Sequence, residues 1–164
     1  MIVVSNTSPI INLAAIGRLE LLRALYKKVI IPQAVYDEIT IKGAGQPGAD
    51  EIEKSEWIEV KDVPDKNLAE AFKLELDEGE AEAIALSIGI EAKFLLMDER
   101  RGREIADRLG LTYIGILGII IEARHKNLIT SAKPLLDDLI SKAGFWISKR
   151  LYTRVLQIAG ESPG

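Results

Sequence analysis

Three carboxylates far apart in the chain, Glu38, Glu80 and Asp98, fall where an α/β fold gathers side chains at one edge of its sheet. Converging there, they would offer oxygen-only ligation. That donor set suits Mg²⁺ or Mn²⁺, which keep several waters and bind through a few carboxylates together with phosphate oxygens. A cation held in this way can activate water and stabilise the leaving oxygen of a phosphodiester. Each residue also has a plainer explanation. Glu80 lies in a first helical turn, where the dipole favours any acid. Asp98 would suit as the N-cap of the helix that follows it, and Glu38 would suit as a solvated helix residue beside Asp37. Arg100, Arg101 and Arg103 come directly after Asp98, and they could grip phosphates flanking a scissile bond or simply form a solvated face. The single histidine, His125, sits near a helix C-terminus, where its charge is favourable, and it receives no catalytic role.

The elements that must position these groups centre on Gly79 to Leu111. Ala81, Ile84, Ala85 and Ile88 recur at spacings of three and four, marking one buried helix face. Phe94 to Met97 is a short continuous apolar run of the kind found in a parallel strand covered on both faces. Ile105, Ala106 and Leu109 then resume a helical period that Gly110 stops. Asp98 therefore sits where a buried strand becomes a helix, the place at which open α/β sheets bind ligands.

Ahead of this stretch, Ile2 to Ser5 reads as a first buried strand, with Asn6 at its C-terminal end. Ile10 to Ile16 and Leu19 to Tyr26 form two short helices with more apolar surface than one core contact requires, which suggests a homodimer. Val29 to Ile31 is a second strand, Pro32 opens a helix carrying Glu38, and Gly43 to Gly48 is a loop. Trp57 to Val60 alternates weakly as a third, more exposed strand, followed by a helix from about Asp65 to Leu76. Thr112 to Ile114 is a fifth strand. Helices then cover Gly115 to His125, Ala132 to Lys142 and Ser148 to Ile158, with Ser148 as N-cap. Alternating strands and helices give a three-layer α/β/α sandwich with a mainly parallel five-stranded sheet. In a 3-2-1-4-5 order, Asn6 and Asp98 meet at the switch point. One domain is expected over residues 1–159, with a disordered tail at 160–164.

Composition narrows the chemistry further. A chain of 164 residues, 48% hydrophobic and 28% charged, is typical of one globular domain. The net charge of −4 argues against indiscriminate coating of nucleic acid, although carboxylates that hold a cation count as negative until it arrives. No cysteine is present, which excludes disulfides and thiolate chemistry. No apolar run approaches the ~18 residues of a membrane span, and the expectation is a cytoplasmic protein. GxxxxGK[ST] and a GxGxxG after the first strand are missing, so P-loop and dinucleotide-binding readings are weak, and GxSxG is missing as well. A receiver-like signalling module would need an acidic pair after the first strand, where Ser5, Asn6 and Thr7 stand.

The segments VVSNTSPIINLAAIG, VIIPQAVYDEI, GEAEAIAL and LLMDERRGREIADRLGL, in this order and spacing, resemble the PIN-domain ribonucleases, including the VapC-like toxins of prokaryotic toxin-antitoxin pairs. The tail KPLLDDLISKAGFWIS is similar to a poorly characterised prokaryotic branch of that family. The resemblance spans about Ile2 to Ile158. It implies a metal-dependent endoribonuclease acting on single-stranded RNA, with a small antitoxin protein as partner. It makes Asn6, Glu38, Glu80 and Asp98 the metal positions, Thr7 or Ser8 assisting, Glu82 and Glu99 the nearest substitutes, and Ser8, Arg100, Arg101 and Arg103 contacts to RNA. The family usually has Asp where this chain has Asn6, a change that keeps an oxygen ligand and removes a full charge. The alternative function is a PIN-fold RNA- or protein-binding regulator with weakened catalysis.

Overall fold

A computed structural model describes residues 1–162. Five parallel strands form one sheet in the order β3-β2-β1-β4-β5, the order expected. They are β1 (Val3–Ser5), β2 (Val29–Pro32), β3 (Ile58–Lys61), β4 (Phe94–Leu96) and β5 (Tyr113–Ile114). The central pair is in register from Val3 opposite Phe94 to Ser5 opposite Leu96. The pleat sends successive side chains to opposite faces. Val3 and Leu96 enter one apolar core, while Val4, Leu95 and Met97 enter the other.

The first core is built with α1 (Thr7–Ala15), α2 (Glu20–Tyr26), α8 (Ile116–His125), α9 (Lys133–Ser141) and α10 (Lys149–Ile158). The second is built with α5 (Lys66–Phe72), α6 (Glu78–Gly89) and α7 (Arg100–Arg108). A helix α3 (Gln33–Asp37) follows β2 and continues into a π-helical turn, Glu38–Lys42. Such turns frequently mark functional sites. Helix α4 (Ala49–Lys54) follows the glycine-rich loop. The sequence reading has no helix there, because six residues with only Ala49 and Ile52 turned inward show too little periodicity to register.

One cap acts as read and another was not foreseen. Ser148 accepts a bond from the Leu151 N–H at 3.1 Å and caps α10. Asp77 and Glu80 form a reciprocal capping box at the start of α6. The apolar crowding that suggested a second copy is largely covered within one chain. Ile10, Leu13, Leu22, Ile116 and Ile119 are fully buried in the first core. The expected tail at 160–164 falls partly outside the described residues. Within them, Glu161 is tied to the start of α9, accepting from Ser131 Oγ at 2.6 Å and from the Ala132 N–H at 2.7 Å. Among the described residues, no helix is long and apolar enough to cross a membrane.

Candidate active site

The C-terminal ends of β1 and β4 lie side by side, and the backbone binds them there: Asn6 N–H donates to Leu96 O at 2.9 Å. This brings Asn6 and Asp98 to the switch point of the sheet. Asn6 is 3% exposed. Its Nδ2 donates to Glu99 Oε2 at 2.9 Å, and its Oδ1 is buried without a hydrogen-bond partner. Ser8 Oγ donates to Glu99 Oε1 at 2.6 Å. Glu99 is therefore held by both its oxygens on the first turn of α1, and it is the acid in closest contact with Asn6.

Asp98 does not cap α7, the helix that follows it. Glu99 occupies that N-cap position, while Asp98 Oδ1 accepts from the Ile116 N–H at 3.0 Å and so serves the first turn of α8. A helix N-terminus is a favourable place for a carboxylate. Arg103 also faces Asp98, with Nη2 3.5 Å from Oδ1, and it is locked by its Nε donating to Met97 O at 2.9 Å and by stacking over Tyr113. Oδ2 of Asp98 is buried without a partner. Burial pushes the Asp98 carboxyl above its ordinary range, against the Ile116 hydrogen bond and the Arg103 charge.

Glu38 enters from the π-helical turn, and its Oε2 accepts from Thr7 Oγ1 at 3.0 Å. Gly79, on the first turn of α6, explains the close approach. A Cβ there would lie 2.8 Å from Glu38 Oε2 and 3.6 Å from Asn6 Oδ1. A larger residue at Gly79 would push the Glu38 carboxylate from its place, while leaving Asn6 at ordinary contact distance. Glu80 is buried beside it, but its Oε1 is engaged by the Asp77 N–H at 3.1 Å. Burial raises the Glu80 carboxyl, and the negative charges of Asp77 and Glu99 add to that.

The expected groups thus divide. Asn6, Thr7, Ser8, Glu38, Asp98, Glu99 and Arg103 lie together around the β1 and β4 ends, with Glu80 adjacent and partly committed to its helix cap. Glu82 is engaged elsewhere: its Oε1 accepts from the Ala34 N–H at 3.1 Å at the start of α3. Arg100 and Arg101 also point outward, pairing with Glu104 at 3.4 Å and Glu75 at 3.8 Å. His125 sits remote from the site, against the Ile158 carbonyl at 2.9 Å.

The donor chemistry suits a hard divalent cation, since every group is an oxygen and two of those oxygens, on Asn6 and Asp98, are buried and unsatisfied. Buried polar atoms without partners are costly and uncommon. Among the described residues no three acidic or histidine side chains are grouped closely enough to hold a metal ion by themselves.

A family model described as PIN domain matches residues 2–161, almost the whole chain, and its span includes every group named above. The chain belongs to the PIN-domain family. No curated protein matches it. PIN domains are generally nucleases and usually use divalent metal ions. This PIN domain has a nuclease-type fold, with an amide at the end of β1.

Proposed function

We propose that this PIN domain is a metal-dependent endoribonuclease that cleaves single-stranded RNA, with Asn6, Glu38, Glu80 and Asp98 as the metal-site residues and Glu99 orienting Asn6. The observation that carries the proposal is the pair of buried, unpartnered oxygens, Asn6 Oδ1 and Asp98 Oδ2, at the ends of adjacent strands. Mg²⁺ or Mn²⁺, when bound, would supply an activated water and charge stabilisation for the leaving oxygen. The chain's own groups would do the rest. Glu99 fixes the Asn6 amide and leaves its Oδ1 free of hydrogen bonds beside Gly79, and Thr7 fixes the Glu38 carboxylate. Arg103, held rigid beside Asp98, presents a guanidinium to a phosphate at the site. A recessed acidic crevice favours unpaired RNA, because a duplex cannot bring its backbone so deep.

The same reading makes the protein the toxin-like member of a two-gene pair. A cavity of about 520 Å³ opens beside Thr7 and Glu38, lined by Ile11, Ile39, Pro47 and Ala143 among others. It has the size and mixed polarity to take a segment of a small antitoxin that covers the site. A short DNA-binding reading frame next to the gene would support this, and a toxin lacking any such neighbour would not.

A second reading is favoured by one specific feature. Asn6 is neutral and its amide is spent on Glu99, which lowers the pull on a cation and suits a binding protein with weakened catalysis.

The deciding experiment is cleavage of a labelled single-stranded RNA by purified protein with Mg²⁺ or Mn²⁺. Cleavage is expected, chelation should stop it, and Asp98→Asn or Glu38→Gln should lower it by orders of magnitude. Rates unchanged in both variants would remove the assignment, and RNA binding without cleavage would favour the regulator.

A further inference from the structure

Beside Asp98 lies a second opening that the cleavage chemistry does not use. A cavity of about 320 Å³ is lined by Asp98, Arg103, Gly115, Gly118, Trp146 and Leu151. At Gly115, the N-cap of α8, the missing Cβ lets Arg103 and Asp98 pack against the helix start: a Cβ there would lie 2.7 Å from Asp98 Oδ1. Trp146, also in the lining, is 83% exposed, an unusual setting for the largest apolar side chain.

Trp146 is not exposed because its segment is loose. Gly144 adopts φ of +67°, a left-handed turn natural to glycine, just after α9. The Phe145 N–H then donates to Leu139 O at 2.9 Å, and two residues beyond Trp146 the Ser148 cap starts α10. Phe145 and Ile147, on either side, are half-buried against the first core. The backbone is thus fixed on both flanks, and the indole is held outward at the mouth of a cavity containing the site's carboxylate.

The charge around it has a sign. Helix α10, which contributes Leu151 to the cavity, carries Lys149, Arg150 and Arg154 on its solvent face and no acidic residue. The ion pairs of this end of the molecule join Arg124 to Glu161, Lys133 to Asp137 and Lys142 to Asp138. Among the described residues, Lys149, Arg150 and Arg154 take part in none. On a chain of net charge −4, a basic helix face that starts three residues after an exposed tryptophan, whose cavity holds the Asp98 and Arg103 ion pair, fits a flexible polyanion with unstacked aromatic rings. That is the chemistry of a single-stranded RNA.

We infer that Trp146 is a base-stacking residue for single-stranded RNA, with Arg150 and Arg154 of α10 holding the phosphates that lead into the Asp98 end of the site. This rests on the nuclease reading only for the direction of the strand. Stacking is sequence-tolerant, so Trp146 would set the preference for unpaired over paired RNA rather than for a particular base.

The test measures binding in EDTA, where nothing is cleaved, by fluorescence anisotropy of a short labelled single-stranded RNA and of a hairpin of the same composition. Trp146→Ala is expected to weaken single-strand binding about tenfold, within the range of one lost stacked base, and to change hairpin binding far less. Trp146→Phe should retain most of the affinity. Arg150→Ala with Arg154→Ala should weaken binding and flatten its dependence on salt by about 0.7 in logarithmic slope per lost contact, whereas Trp146→Ala should leave that slope unchanged. Unchanged single-strand affinity in Trp146→Ala would overturn the inference. So would light scattering that shows a wild-type dimer turned to monomer by that substitution, since the indole would then face a second copy. Cleavage by wild type with no effect of Trp146→Ala on binding removes this inference alone. Trp146-dependent binding without cleavage upholds it and removes the nuclease reading alone, and a wild type that neither binds nor, with metal, cleaves a single strand removes both.

Discussion

Replacing Asn6 by the acid usual in its family should be costly in the absence of metal, and the Glu99 contact sets the cost. In Asn6→Asp the donor 2.9 Å from Glu99 Oε2 becomes a second carboxylate oxygen. At that separation and an effective dielectric near 20, two full charges repel by about 6 kcal/mol. Relaxation to ~4 Å leaves about 4 kcal/mol. The pair can instead keep one proton between its oxygens, and holding it at pH 7 against an ordinary carboxylate value near 4 costs about 4 kcal/mol as well. Both routes give a loss near 4 kcal/mol, which for a chain of this length lowers Tm by roughly 8–16 °C. The sign with pH follows from linkage. The pair binds a proton more tightly folded than unfolded, so the loss is absent below the ordinary carboxylate value and grows as pH rises through the folded value. Mg²⁺ or Mn²⁺ at about 100 times its Kd should return ~2.7 kcal/mol to the variant, because the cation binds the folded state and neutralises the pair. Its affinity should be about tenfold or more above that of wild type. Thermal melts of both proteins across pH, with EDTA and with metal, and a calorimetric metal titration measure all of this. Equal melts at neutral pH, or a deficit that does not shrink in acid, would refute the Asn6 and Glu99 electrostatics. Equal metal affinities would withdraw Asn6 from the cation site.

Asp98→Asn should raise Tm of the metal-free protein by a few degrees near pH 7 while removing cleavage. The amide oxygen keeps the Ile116 bond and the ionised carboxylate that burial disfavours is gone. Since the folded Asp98 carboxyl is raised, the gain should vanish below about pH 4, which melts across pH will show. Glu161→Gln should cost about 1–2 kcal/mol at neutral pH by weakening the bonds to Ser131, Ala132 and Lys133 at the start of α9. Burial opposes ionisation of Glu161, but those bonds outweigh it and hold the carboxyl below its ordinary range. The wild-type advantage in denaturant melts should therefore be full above the ordinary value and fade as pH falls through the folded one.

The fold was legible where one residue pattern admits one structure. Val3 to Ser5 and Phe94 to Leu96 are too apolar for a half-exposed strand, and their burial on both faces follows from the parallel sheet. Ser148 announced its helix because the cap bond is local, three residues long. Helix α4 was not legible, for a six-residue helix is held by tertiary contacts of Ala49 and Ile52 rather than by its own period. The π-helical turn is likewise invisible, since Glu38 to Lys42 would fit an ordinary helix equally well. Its effect is to shift the residues after Asp37 relative to an α-helix, and the Glu38 carboxylate emerges against Thr7.

At the site, local rules carry an argument as far as the helix and no further. Residues two apart on a helix do not share a face, so Glu82 could be excluded from company with Glu80 on geometry alone, and it turns instead to the Ala34 N–H. The same rule says nothing of Asp98 and Glu99, which lie on the short link between β4 and α7. There the nearer helix wanted a cap and the sequence offered two adjacent acids. Glu99 takes the N-cap position and reaches Asn6 and Ser8 across the strand ends, while Asp98 reaches α8, 18 residues onward. The exchange makes sense once Asn6 is an amide. A carboxylate at Asn6 would repel Glu99 from this position, whereas the amide hydrogen draws it in and leaves the amide oxygen free. Asn6 and Glu99 are thus a matched pair, and the change at one position is readable only from the contact made by the other.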